Sequence, residues 1–289
     1  MLPKALFTFN LFGKNIGVYM YGICIAVGIL ACIAVFYIYT KKKDMPTKVQ
    51  DFIFIIIIIS IALGFLFAKL YQAVYNWIDT GRFDFERAGI TAMGGFIGGA
   101  AVFLIAYFGL GKFVFKGKEK GLHKQEFNKI LLCAPCCITI AHAFGRIGCL
   151  CAGCCHGKYL GSEPVSGGLY MRAHGVWGYY VPTQLYESIF LFALFGVLSY
   201  LYFHRSNITM QIYLIAYGVW RIIIEFFRTD SRGAFVLGLA PSQWQSIIFI
   251  AGGVAMLIVY KCLKIPFMLP KEEKVVEEST GNTDSGSKE

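Results

Sequence analysis

The chain has 289 residues, of which 57% are hydrophobic and only 15% charged, and its formal net charge is +10 at pH 7. This composition lies well outside the usual soluble profile and indicates a protein that resides in a lipid bilayer. No nucleic-acid-binding signature accompanies the positive charge, which we attribute to membrane topology and to attraction for anionic membrane lipid.

Seven apolar segments are each long enough, at roughly 17 to 25 residues, to cross a bilayer as a helix. They cover residues 16–40, 52–77, 94–110, 130–150, 183–203, 211–227 and 244–263. The first is interpreted as a true span, because its apolar run is too long for a signal peptide and six more runs follow. The expected fold class is therefore an all-α integral membrane protein with seven transmembrane helices.

Lysine and arginine predict the orientation, since short cytoplasmic loops are enriched in both residues. Lysines cluster after spans one, three and seven, and the opposite side carries fewer basic residues. We therefore expect the N-terminus outside and the C-terminus in the cytoplasm. Residues 1–270 are expected to form the membrane domain, with an external cap loop at about 151–182. Residues 271–289 are too polar to bury a core and predict a disordered cytoplasmic tail.

Polar residues and paired glycines from several spans fall in the outer half of the membrane when helix direction is converted to depth at about 1.5 Å per residue. The set consists of Tyr21, Lys69, Gly94, Gly95, Arg146, Glu187, Arg221, Glu225 and Arg228. Ionisable residues at membrane depth are costly and usually face a partner or a ligand. Their convergence predicts one cavity that opens toward the outer leaflet.

Span four ends in the run 145–158, where Arg146 lies among Gly145, Gly148 and Gly157. Glycines permit close approach of a head group or another backbone, so this run indicates a lipid-handling site.

Span six has the clearest internal pattern. Tyr217, Arg221, Glu225 and Arg228 follow one another at spacings of four, four and three residues, so they share one helix face. An Arg221–Glu225 ion pair that only neutralises itself is the structural alternative. Because an arginine fork suits a phosphodiester and stays charged when desolvated, Arg146 and Arg221 together suit a phosphate clamp.

In these motifs the chain resembles the prolipoprotein diacylglyceryl transferase family. The resemblance covers nearly the whole chain and rests on Tyr21-Gly22, Gly94-Gly95, the segment from Gly145 through Gly148 with Gly157, the segment from Gln184 to Glu187, and the span-six residues from Tyr217 to Arg228.

The resemblance implies a multi-pass enzyme of the bacterial inner membrane. Such an enzyme transfers a diacylglyceryl group from phosphatidylglycerol to the lipobox cysteine of a prolipoprotein at the outer face and releases glycerol phosphate. No cofactor is expected. Arg146 and Arg221 would hold the phosphate, and Glu187 and Glu225 would orient these arginines. The expected substrate-binding residues are Arg146, Tyr21, Gly94, Gly95, Gly148, Gly157, Tyr217 and Arg228.

The chain departs from the family pattern at several positions. Met93 stands where the family usually has a histidine, and Cys149, Ala152 and Cys154 replace two asparagines and a glutamate. The usual thiol-activating base is thereby missing. His142 and His156 are the candidate replacements, and Glu187 and Glu225 are alternative proton acceptors.

Cysteines suggest a second class of function. Ligation of zinc or an iron–sulfur cluster is an alternative, with Cys149, Cys151, Cys154, Cys155 and His156 as candidate ligands. External disulfides are a further outcome, and cysteines within spans often serve as small apolar residues. The alternatives to a transferase are thus a relative with a thiol-based metal or redox role, or a noncatalytic lipid-binding scaffold.

Overall fold

The computed structural model describes residues 5–11, 14–173, 175–204, 207–228 and 241–263. Helices dominate these ranges. They are α1 (Met20–Lys42), α2 (Thr47–Thr80), α3 (Ala92–Val114), α4 (Leu122–Ala152), α5 (Thr183–Phe203), α6 (Thr209–Glu225) and α7 (Pro241–Ile258). A short 3-10 helix (Gly117–Glu119) precedes α4, and a π-helical turn (Val259–Leu263) continues α7.

Six of these helices, all except α6, are long and apolar enough to cross a membrane. The chain is therefore a multi-pass integral membrane protein. Helix α6 has 17 residues, which gives a length of about 25 Å, somewhat short of a hydrocarbon core of about 30 Å. It also carries the buried polar residues Gln211 and Arg221, which lower its hydropathy.

Helix α4 organises the bundle. It packs extensively on α1 and on α5, and it also contacts α6, while α2 pairs with α3 and α6 with α7. Small residues permit these close approaches. A Cβ atom on Gly28 of α1 would lie 2.9 Å from the Ala141 carbonyl oxygen of α4, and one on Gly64 of α2 would lie 3.2 Å from that of Gly95 on α3. The main core lies between these helices, with Leu191, Leu198 and Tyr217 among its buried side chains.

Two small antiparallel sheets accompany the helices. Strands β1 (Phe7–Leu11) and β2 (Lys14–Val18) form a hairpin before α1. Strands β3 (Tyr159–Gly161), β4 (Leu169–Ala173) and β5 (Val176–Tyr180) form a three-stranded sheet in the order β3-β5-β4 between α4 and α5.

The two sheets were not part of the predicted all-α fold class. The prediction is correct for the long apolar helices. Residues 16–18, assigned above to the first span, belong to β2, and the helix begins at Met20. A hydropathy window does not separate these residues from the helix, although the alternation of Phe7 and Phe9 with Thr8 and Asn10 is a strand pattern. The proposed tail at 271–289 lies outside the described residues.

Candidate active site

Three helices meet at the carboxylate of Glu187. Arg146 of α4 places its Nη2 atom 3.0 Å from Glu187 Oε1, which belongs to α5. The Tyr217 hydroxyl of α6 donates to the same oxygen at 3.4 Å. The Glu187 side chain is fully buried, and that of Arg146 is 13% exposed. The structure therefore brings together three predicted site residues that lie far apart in the sequence.

Neighbouring groups restrict this cluster. Ser188, the residue after Glu187, donates its hydroxyl to the Ala143 carbonyl at 3.1 Å and so fixes α5 against α4. The second carboxylate oxygen, Glu187 Oε2, is buried and receives no hydrogen bond from any described residue. A buried acceptor of this kind is expected to find a donor.

His142 borders the cluster one helical turn before Arg146. Its Nε2 atom accepts a hydrogen bond from Arg146 Nε at 3.3 Å and lies 3.8 Å from Glu187 Oε1. Its ring packs edge-on against Tyr217 with centroids 5.3 Å apart. Of the two candidate bases, His142 is thus the one that contacts the Arg146–Glu187 pair.

His156 has different surroundings. Its Nδ1 atom lies 2.8 Å from the Gly157 carbonyl oxygen, and its ring packs on Tyr180 of β5 with centroids 4.6 Å apart. These contacts connect it to the three-stranded sheet.

Helix α6 supplies a second ion pair. Arg221 Nη1 lies 3.0 Å from Glu225 Oε2, so the intrahelical ion pair named above as the structural alternative is present. Arg221 and Arg146 both lie within electrostatic reach of Tyr217. Arg228, just beyond α6, is also buried.

The glycines of the span-four segment lie in close contacts. A Cβ atom on Gly148 would lie 3.1 Å from Tyr21 Cδ2 of α1, so this glycine brings Tyr21 against the segment that follows Arg146. A Cβ atom on Gly157 would lie 2.4 Å from the Phe227 carbonyl oxygen. The Gly157 amide also donates to the Val181 carbonyl at 2.8 Å. Gly157 therefore fastens the end of this segment to the start of α5 and the end of α6.

The paired glycines of α3 have a packing role in the structure. A Cβ atom on Gly94 would lie 2.4 Å from Tyr71 Cβ, and one on Gly95 would lie 3.3 Å from Ala68 Cβ. Both contacts join α3 to α2. Their contribution to substrate binding stays a prediction.

The cysteines divide into separate groups. The Sγ atoms of Cys149, Cys154 and Cys155 all lie within 4.8 Å of one another. Cys151 instead lies within hydrogen-bonding reach of Cys24 on α1. Because residues two apart on a helix point in different directions, Cys149 and Cys151 do not share a face. The five-member ligand set proposed from the sequence is thus not assembled as one site.

Cys155 lies near two of the candidate-site arginines. The Cys149 and Cys154 thiols lie next to it, and these thiols, together with the nearby guanidinium groups of Arg146 and Arg228, lower the pKa of the Cys155 thiol. This cysteine cluster therefore adjoins the arginines of the candidate site.

Comparison with known proteins identifies the family. The family model described as prolipoprotein diacylglyceryl transferase matches residues 7–259. The chain belongs to the prolipoprotein diacylglyceryl transferase family. The family resemblance found in the sequence motifs is thus confirmed.

Curated relatives agree with this assignment. A phosphatidylglycerol–prolipoprotein diacylglyceryl transferase of Clostridium tetani is 33% identical over 262 residues, which cover 85% of this chain and 94% of the relative. The second such transferase of Clostridium perfringens is 31% identical over 87% of this chain and 94% of its own length. One from Streptococcus pneumoniae is 30% identical over 88% of this chain and 94% of its own length.

Two polar residues at the start of α5 were not predicted as functional. Gln184 Nε2 donates to the Cys154 carbonyl at 2.6 Å, and Thr183 Oγ1 donates to the Cys155 carbonyl at 2.9 Å. Both side chains are buried and hold the cysteine-rich segment of this family member in place. Their position in the Gln184–Glu187 motif of an apolar span was the available signal.

Proposed function

We propose that this chain is a phosphatidylglycerol–prolipoprotein diacylglyceryl transferase that acts at the outer face of a bacterial inner membrane. The observation that carries the proposal is the buried Arg146–Glu187 contact, joined by Tyr217, in a chain of this family. The relatives named above carry this activity in their names.

The same proposal includes the finer topology. Helix α6 serves as a seventh, short span, the N-terminus lies outside and the C-terminus lies in the cytoplasm. The excess of lysines after spans one, three and seven supports this orientation. The β3-β5-β4 sheet then lies outside as the ordered part of the cap, and residues 1–270 form one membrane domain.

The reaction replaces one bond at a glyceryl carbon of the lipid. The lipobox thiolate attacks the carbon that bears the phosphate ester, a carbon–sulfur bond forms, and the carbon–oxygen bond breaks. Glycerol phosphate departs with the electron pair of that bond, and the thiol proton passes to a base. The site must therefore stabilise a phosphate leaving group and accept one proton.

Two arginines stabilise the phosphate leaving group. Arg146 and Arg221 donate to the phosphate oxygens, because guanidinium forks match phosphate geometry and remain charged when buried. Glu187 and Glu225 hold these arginines at 3.0 Å each. Glu187 Oε2, which receives no hydrogen bond from the described residues, accepts one from a head-group hydroxyl. Tyr21 and Tyr217 complete the polar contacts.

His142 is the candidate base that the contacts favour. It adjoins Arg146 and Glu187, whereas His156 contacts Gly157 and Tyr180. Its nitrogen takes over the task that the family histidine performs at the position of Met93.

The test is direct. The purified chain in phosphatidylglycerol vesicles is incubated with a lipobox peptide, and the mass of the peptide is followed. We expect a gain of one diacylglyceryl group, its loss in Arg146→Ala, and its retention in Arg87→Ala, a matched change at an arginine whose side chain is exposed. Absence of any gain in the intact chain, with lipid binding preserved, would instead indicate a noncatalytic scaffold.

A further inference from the structure

Three thiols converge just beyond the end of α4. Cys149 lies on the last turn of the helix, and Cys154 and Cys155 follow the helix terminus, yet their Sγ atoms all lie within 4.8 Å of one another. All three cysteines are half-buried, so the cluster is in contact with the protein interior and still accessible from outside the helix bundle.

The backbone is shaped to produce this convergence. Gly153 ends α4 in a left-handed conformation with φ 72°, and the Cys154 amide donates back to the Cys149 carbonyl at 3.2 Å. Cys155 is also left-handed, with φ 61°, which is uncommon for a residue with a side chain. The left-handed residues Gly153 and Cys155 thus fold the chain back, so that the thiols of Cys154 and Cys155 lie beside that of Cys149.

Helix α5 fixes the backbone of Cys154 and Cys155 by hydrogen bonds. The hydrogen bonds from Gln184 to the Cys154 carbonyl and from Thr183 to the Cys155 carbonyl fix the two carbonyl groups. Because both donors are fully buried at the start of a long helix, the position of the cysteine backbone is set by the bundle. The three thiols are therefore arranged before any ligand arrives.

Their spacing suits a thiophilic ion. With zinc–sulfur bonds of about 2.3 Å, tetrahedral geometry places the sulfur atoms about 3.8 Å apart. The observed upper limit of 4.8 Å exceeds this separation by about 1 Å, a distance that side-chain rotation can remove. Arg146 and Arg228 lie within electrostatic reach of Cys155 and offset the negative charge of three thiolates around a divalent ion.

We propose that Cys149, Cys154 and Cys155 together bind one thiophilic divalent cation, with Zn²⁺ as the representative ion, and leave its fourth coordination position open. Neither Cys151 nor His156 is a ligand, because Cys151 approaches Cys24 and His156 contacts Gly157 and Tyr180. This site is additional to the transferase chemistry and does not depend on it.

The experiment measures zinc in the full-length chain. The protein is purified in detergent under a non-thiol reductant, equilibrated with zinc chloride and desalted, and zinc is quantified per chain. We expect one zinc ion per chain. The triple variant Cys149→Ser, Cys154→Ser and Cys155→Ser should retain none, while Cys151→Ser and His156→Ala should retain the ion. Cobalt in place of zinc should give a sulfur-to-cobalt charge-transfer absorption that the triple variant lacks.

The single variant Cys155→Ser keeps the test decisive if the triple variant unfolds. Removal of an outer-shell partner of a metal ligand weakens metal binding by about 10- to 100-fold, so loss of a ligand itself should weaken zinc binding at least as much. The elution profile and the thermal unfolding curve of the zinc-free variant should match those of the zinc-free intact chain. Absence of zinc from the reduced intact chain would overturn the proposal. Equal loss of zinc from Cys151→Ser or His156→Ala would also overturn the three-ligand assignment, and retention of zinc in the folded triple variant would place the ion elsewhere.

Discussion

Arg146 of α4 and Glu187 of α5 form an ion pair at 3.0 Å in which the carboxylate side chain has no exposed surface. In the bundle interior, breaking one partner of such a pair leaves an uncompensated charge, which destabilises a protein by about 3–5 kcal/mol. This pair therefore both holds two helices together and directs the arginine, so its two functions can be separated only by measuring stability and activity together.

Glu187→Gln should lower both the stability of the protein and its transfer activity. The amide keeps the shape of the side chain but removes the charge opposite Arg146, so we expect a lower thermal unfolding temperature. Because Arg146 then loses the partner that orients it toward the phosphate, we expect a transfer rate reduced by about 100-fold or more. Glu163→Gln, at an exposed position of the segment before β4, is the matched control and should change neither. Wild-type transfer in folded Glu187→Gln would contradict the role assigned to this carboxylate.

Tyr217→Phe removes a single hydroxyl from the cluster. The hydroxyl donates to Glu187 Oε1 at 3.4 Å, and a hydrogen bond of this kind contributes about 0.5–1.5 kcal/mol. We expect a decrease in transfer of several-fold and a small decrease in stability, measured by peptide mass gain and thermal unfolding. Tyr200→Phe, at an exposed tyrosine of α5, should behave as the wild type. If both variants show the same rate, the hydroxyl does not act in the site.

Gly157→Ala should disturb the packing of the segment after α4 against the start of α5 and the end of α6. Its new methyl group would lie 2.4 Å from the Phe227 carbonyl oxygen and 2.9 Å from Thr183 Cγ2, so backbone must move. Overpacking of this kind typically destabilises by about 1–3 kcal/mol, and we expect transfer to fall with it.

Gly196→Ala is the matched control for that change. It lies inside α5, where an added Cβ atom meets nothing within 4 Å. Because alanine is favoured over glycine within a helix, this variant should gain about 0.5–1 kcal/mol of stability. Thermal unfolding of both variants in one detergent checks the comparison, and a stable Gly157→Ala would show that the segment can shift.

The sequence predicted the membrane helices better than the structures around them. Apolar length alone located the six helices of the described residues that are long enough to cross a membrane, since a bilayer requires long helices. For the residues of the β3-β5-β4 sheet, the sequence predicted only a cap loop, because the short strands pair across turns that hydropathy does not register. The depth argument placed Arg146 and Glu187 together in the outer half of the predicted spans, and the helix spacing placed Tyr217 on the same face as Arg221. The helix packing brings Arg146, Glu187 and Tyr217 into contact.

Contacts that depend on backbone turns could not be predicted from spacing. Five candidate metal ligands from one short run appeared equivalent in the sequence. The left-handed residues Gly153 and Cys155 return two thiols to Cys149, while the helical position of Cys151 directs it toward Cys24. Separation of the two histidines likewise follows from the end of α4, which leaves His142 inside the bundle and places His156 beside β5.

That separation gives a test for the base. His142→Asn should reduce transfer by about 100-fold or more, the usual contribution of a general base, whereas His156→Asn should retain most of the activity. His204→Asn, whose ring stacks on Tyr200 at the end of α5, controls for the loss of any histidine. Transfer is measured with the lipobox peptide at saturating lipid, and phosphatidylglycerol binding is measured separately, so that a base is distinguished from a head-group contact.

If His142→Asn binds lipid normally but transfers nothing, and Met93→His in that background restores transfer, His142 performs the proton transfer. If His156→Asn is instead the inactive variant, the proton leaves through the segment that follows α4, and the assignment of His142 is wrong.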